Sequence, residues 1–139
     1  AEGMAKNLAM AEAVRQAVGP HYPLMFDAFM SWTVPYATKM VQALAALNPT
    51  WMEEPIPPER VGEFRKLRGA SSVPIATGEH VYTRWQTKEL LVNEAIDVLQ
   101  NDPVDYLCRL GRKNRVADGA FSKQQHVVGQ VDHGGVIGQ

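Results

Sequence analysis

A single cysteine, Cys108, in 139 residues excludes an internal disulfide and fits a reducing compartment such as the cytoplasm. No apolar run reaches 18 residues, so no membrane-spanning helix is expected. The opening stretch AEGMAKNLAMAEAVRQ interleaves charged and polar residues with apolar ones, unlike the apolar centre of a secretory signal. Charge of neither sign dominates: 14 Lys+Arg against 15 Asp+Glu leave a net of −1. That balance removes any general electrostatic reason to expect nucleic acid or an anionic membrane surface as a partner. What is present, 45% hydrophobic and 21% charged residues, describes one globular domain or a piece of one. A chain of this length buries roughly two-thirds of its unfolded surface.

The average conceals a division. Residues 1–103 carry nine Lys+Arg and twelve Asp+Glu, whereas residues 104–139 carry five and three, with six of the 11 glycines. The first part is strongly patterned and the second is not. We therefore expect an ordered unit over 1–103 and an atypical tail over 104–139, disordered or read through a frameshift.

In the first part Met4, Leu8, Ala11, Val14 and Val18 recur at helical spacing, and Gly19-Pro20 ends the segment. PLMFD (23–27) is a short apolar run closed by an acid. Thr33 can cap a helix over about 34–48, with Pro35 in its first turn and Ala37, Val41 and Leu44 inward. TWMEEP (50–55) is a second strand-like run, and Pro57 and Pro58 open a helix with Val61, Phe64 and Leu67 inward. VPIATGE (73–79), a helix over 83–95 and IDVLQND (96–102) complete the order α-βα-βα-βα-β. Apolar strands alternating with amphipathic helices give a parallel sheet covered by helices. An open doubly wound sheet and a (β/α)8 barrel both satisfy that order, and both place function at the C-terminal strand ends. Four strands are half a barrel.

Asp27, Glu53 and Glu79 are each expected to end a strand, and 26 residues separate each from the next. Equal intervals return the chain to the same height one strand further round, with neighbouring strands about 4.8 Å apart. Three carboxylates on one rim repel each other unless a cation intervenes, and all-oxygen ligation suits Mg²⁺. Taken singly, each acid reads better as a solvated residue or a helix N-terminal charge than as a ligand. Their common register favours the cation.

With WMEEPIPPE and VPIATGEHVYTR around two of these acids, the chain resembles the mandelate racemase branch of the enolase superfamily. AEGMAKNL, PLMFDAFMSWTVPYATKM and TGEHVYTR resemble acid-sugar dehydratases of the L-rhamnonate dehydratase type. The resemblance covers about residues 1–103. It implies a partial (β/α)8 barrel of about four strands, with Mg²⁺ held by Asp27, Glu53 and Glu79. Glu54 is then a supporting or helix-capping acid. It further implies a hydro-lyase reaction: the hydrogen at C2 of a sugar acid is removed by way of an enediolate, and the 3-hydroxyl leaves as water. The product is a 2-keto-3-deoxy acid. Asp102 falls where the family orients a catalytic histidine on the next strand. The expected partners are a small sugar acid and further copies of the chain, with neither nucleic acid nor membrane.

The segment after Asp102 departs from that pattern. His126 and His133 follow it without a strand ending in histidine, and HVVGQV is the nearest strand-like run. The catalytic base is therefore unassigned, and segments that would precede Ala1 in the family are expected outside this chain. A non-catalytic α/β piece that keeps the metal rim is the competing reading, and a receiver-like domain is disfavoured by the 26-residue spacing. His80, next to Glu79, is placed to reach substrate oxygens. Arg84 reads as a surface residue, Trp51 and Trp85 as packing residues, and Trp32 as lining a pocket mouth. Phe29 stands where a difference would alter the choice of substrate. Arg109, Arg112, Lys113 and Arg115 lack the interleaved aromatics of a nucleic-acid site and read as a solvated face.

Overall fold

The computed structural model describes residues 2–101 and the backbone of 129–130. Asp102, Cys108, the basic cluster, His126 and His133 lie outside the described residues.

The expected alternation is present. Helix α1 (Glu2–Val18) is followed by β1 (Met25–Asp27), α2 (Val34–Leu44) and a 3-10 turn (Ala45–Leu47). Then come β2 (Trp51–Glu53), α3 (Val61–Gly69), β3 (Ile75–Thr77), α4 (Arg84–Val92) and β4 (Val98–Leu99). A two-residue strand, β5 (Gly129–Gln130), lies within HVVGQV. The sheet runs β4-β3-β2-β1-β5, and each of these neighbouring pairs is parallel. β5 thus joins the sheet beside β1, at the edge away from β4.

The strands are shorter than the apolar runs that encode them, because loop backbone takes over at both ends. Gly19, at φ +87, donates its N–H to the Arg15 carbonyl and ends α1 in the left-handed conformation glycine tolerates. Pro57 and Pro58 precede α3 instead of opening it, and the helix starts only at Val61. Thr33 holds the N-cap position of α2 without a side-chain capping bond. Thr83 does cap α4, its hydroxyl accepting from the Gln86 N–H.

Register explains where the core lies. Phe26, Met52 and Ile75 are cross-strand partners and fully buried. They sit in one cluster with Ala37, Met40, Val41 and Leu44 of α2, Phe64 and Leu67 of α3, and Leu90 of α4. On β1 and β2 the alternate residues Met25, Asp27, Trp51 and Glu53 are only half-buried. One face of the sheet is dry under helices; the other is half-open along β1 and β2 but closed at β3, where Ala76, the partner of Glu53, is fully buried. Trp32, expected at a pocket mouth, is instead in this core and packs against Tyr36 with ring centroids 5.3 Å apart. Trp85, expected to pack, is 62% exposed beneath the Arg84 guanidinium. Among the described residues, no helix is long and apolar enough to cross a membrane.

Candidate metal centre

Asp27 and Glu53, the last residues of β1 and β2, are register partners on neighbouring strands. Glu79 differs from expectation. Glu53 lies beside Ala76, three residues short of Glu79, and β3 ends at Thr77. Equal spacing along the chain therefore does not produce equal height here: Glu79 stands in the loop after β3, and it is exposed.

Local backbone aims these groups. Asp27 accepts the Phe29 N–H at 2.8 Å, while Phe29 and Met30 take φ values of 46 and 59. The loop stays tied to the next strand, Ala28 N–H to the Glu53 carbonyl, Met30 N–H to that of Glu54 and Trp32 N–H to that of Pro55. Glu54 has φ 41 and donates its N–H to Ala76. This left-handed step turns its side chain into the protein, where it is 1% exposed. Gly78, at φ +143, lies so close to β4 that a Cβ would come within 2.8 Å of the Gln100 nitrogen.

Glu54 is bonded from two sides. The Thr77 hydroxyl donates to Oε1 at 3.3 Å, and Nδ1 of His80 lies 2.8 Å from Oε2 and 3.1 Å from Oε1. The Phe29 ring meets His80 edge-on, with centroids 5.3 Å apart. Among the described residues, the group whose ligand atoms all come within 4.8 Å of one another is Glu54, Glu79 and His80. From sequence, Glu54 is set apart from Glu53 as a supporting or helix-capping acid, and no spacing signal reveals that it is buried and grouped with Glu79 and His80. Trp51 donates its indole N–H to Glu53 at 3.1 Å, so this residue serves the acid as well as packing.

The acids sense one another. Burial pushes the Asp27 carboxyl above its ordinary range, opposed by the Phe29 N–H and His80 and reinforced by Glu53 and Glu54. Glu79 is also raised, first by burial, then by Glu54, with smaller contributions from Glu53 and Asp27 and a lowering one from His80. Carboxyls that disfavour their own ionisation in this way supply hard oxygen donors whose repulsion a divalent cation relieves.

A cavity of about 350 Å³ lies at the other end of the strands, lined by Arg65, Arg68, Ser71 and Asp97 among others. Arg68 donates to Asp97 at 2.7 Å, and the second Asp97 oxygen accepts the Ile75 N–H, so this pair ties α3 to β3.

The enolase C-terminal domain-like family profile matches residues 1–106. A D-galactarolactone cycloisomerase from Agrobacterium fabrum is 32% identical over 131 residues, which cover 94% of this chain and 34% of that protein. That stretch extends past residue 103 into the glycine-rich segment. A racemase from Streptomyces coelicolor with bound magnesium superposes with a TM-score of 0.73 at 27% identity, covering 74% of this chain and 31% of that one. An L-rhamnonate dehydratase from Gibberella zeae gives 0.69 at 36% identity, covering 73% and 26%. The chain thus spans about a third of the length of the proteins it matches.

Proposed function

Because the chain belongs to the enolase C-terminal domain-like family, we propose that it is the metal-holding sector of an acid-sugar dehydratase. Its expected substrate is L-rhamnonate or a related aldonate. The observation that carries this reading is the pairing of Asp27 with Glu53 at the ends of adjacent strands, with Glu79 in the loop after β3, its carboxyl pushed up first by burial and then by Glu54, with smaller contributions from Glu53 and Asp27. Three carboxylates of this kind fit Mg²⁺, a hard cation that takes oxygen ligands. When bound, Mg²⁺ draws charge from a substrate carboxylate and so acidifies the adjoining C–H.

The chain's own residues then have separate tasks. Asp27, Glu53 and Glu79 hold the cation, and the Phe29 N–H and Trp51 indole orient two of them. His80 contacts substrate hydroxyls. Asp102 orients the base that takes the C2 proton, and loss of the C3 hydroxyl as water completes a carbon–oxygen lyase reaction. We assign residues 1–103 to the barrel sector and 104–139 to a separate tail. We also propose a cytoplasmic setting and assembly with further copies. Since the chain spans about a third of its relatives, the second reading is a sector that binds the cation without turnover by itself.

Calorimetric titration of the 139-residue chain with MgCl₂ tests the site. We expect binding in wild type and an affinity lower by about tenfold or more, some 1.4 kcal/mol, in Glu53→Gln. Equal affinity in the two removes the assignment.

A further inference from the structure

A glutamate that is 1% exposed needs an explanation. Burial of an unpaired carboxylate costs several kcal/mol, so its surroundings must donate hydrogen bonds to it. Glu54 has two such partners, and the stronger is His80 Nδ1 at 2.8 Å. An ionised Glu54 can only accept, and against it Nδ1 carries the proton. In the neutral ring that leaves Nε2 with a free lone pair. Nε2 has no hydrogen-bond partner among the described residues, and the His80 side chain remains 25% exposed. The Phe29 ring against the imidazole limits its rotation on a second side.

We propose that Glu54 is a positioning residue that fixes His80 as the Nδ1–H tautomer and presents Nε2 at the acidic rim as a hydrogen-bond acceptor. An acceptor in acidic surroundings selects a hydroxyl donor and disfavours a second carboxylate. In the dehydratase reading, on which this assignment of purpose rests, the ligand it favours is a polyol acid with a free hydroxyl reaching His80. A deoxy analogue lacking that group leaves the acceptor without a partner. The left-handed backbone at Glu54 serves the same end, turning Glu54 inward while its neighbour Glu53 ends the strand at the half-buried rim.

The tautomer can be read without metal or sugar. Two-bond ¹H–¹⁵N spectra of the imidazoles, recorded at alkaline pH where histidines are neutral, distinguish protonated from unprotonated ring nitrogens. His80→Gln identifies the signals. We expect wild-type His80 to show a protonated Nδ1 and an unprotonated Nε2. In Glu54→Ala we expect a shift toward the opposite tautomer, which free imidazole favours. Should Glu54→Ala fail to retain the wild-type backbone amide pattern, Thr77→Val with intact Glu54 must keep the Nδ1–H form. An Nε2–H tautomer in wild type, or an unchanged His80 signal in a folded Glu54→Ala chain, overturns the proposal. The MgCl₂ titration is a separate experiment, so a chain that binds no Mg²⁺ but shows the Nδ1–H tautomer defeats the dehydratase reading alone.

Discussion

Asp27 and Glu53 stand side by side as register partners on β1 and β2, and the Asp27 carboxyl is pushed up first by its burial and further by Glu53. In the metal-free chain this couples stability to pH. An acid with a folded pKa above its unfolded value of about 3.9 binds more protons in the native state between those two values. The contribution of Asp27 to stability is therefore greatest below the unfolded value and is lost as pH rises through the folded one. Urea melts in EDTA across the acidic range should show this fall, and Asp27→Asn should flatten it. Mg²⁺ at a hundredfold excess over Kd should then stabilise the chain at neutral pH by about 2.7 kcal/mol, seen as a higher urea midpoint. A slope unchanged by Asp27→Asn contradicts the burial we assign to this carboxyl.

The alternation of strands and helices was legible because it depends on short-range patterns such as Phe64 with Leu67 and Ala37 with Val41. The height of Glu79 was not, because register depends on how α3 and its loops return the chain. The same number of residues ends at a strand terminus in one unit and in a loop in the next. Trp32 and Trp85 exchanged their expected places for a related reason. A large aromatic near a helix start can turn toward the core or lie under a neighbouring arginine, and nothing local decides between them. Glu54 and Glu53 are identical in type and adjacent, and only the backbone φ at Glu54 separates their roles.

Gly78 is the position least able to accept a side chain. Its φ of +143 is one that L residues rarely adopt, and a Cβ would lie 2.8 Å from Gln100 N and 2.9 Å from its carbonyl carbon. Those contacts are backbone and cannot rotate away. The Gln100 N–H also donates to Thr77, so the clash falls on the β3–β4 ladder. Gly78→Ala should cost about 2–5 kcal/mol, combining strain with overpacking. The urea midpoint should drop with little change in slope. A loss below about 1 kcal/mol means that β4 can move aside.

The half-open face of the sheet predicts association. Met25 and Trp51 are half-buried there, and among the described residues β4 has no neighbour on its outer side. An unpaired parallel edge beside a partly uncovered apolar face invites pairing with another chain. Light scattering at micromolar concentration should give at least twice the single-chain mass, and Trp51→Lys should lower it. A monomer would contradict pairing through this edge and face.

Metal binding and turnover are separable in this chain. Mg²⁺ acidifies the hydrogen beside a bound carboxylate, but a positioned base must remove it, and such a base contributes about 10²–10⁴-fold. Among the described residues, His80 is the histidine at the acidic rim, and its Nδ1 is engaged by Glu54. The lysines Lys6, Lys39, Lys66 and Lys88 lie on the helices, away from the rim. Asp102 has no partner that the sequence identifies. Incubating the chain with Mg²⁺ and L-rhamnonate should therefore give no detectable 2-keto-3-deoxy acid, measured as the semicarbazone. The L-rhamnonate dehydratase from Gibberella zeae serves as the positive control. Product from the 139-residue chain would require a base, either His80 Nε2 or a residue within 102–139. Loss of that product in His126→Asn or in His133→Asn would then identify it.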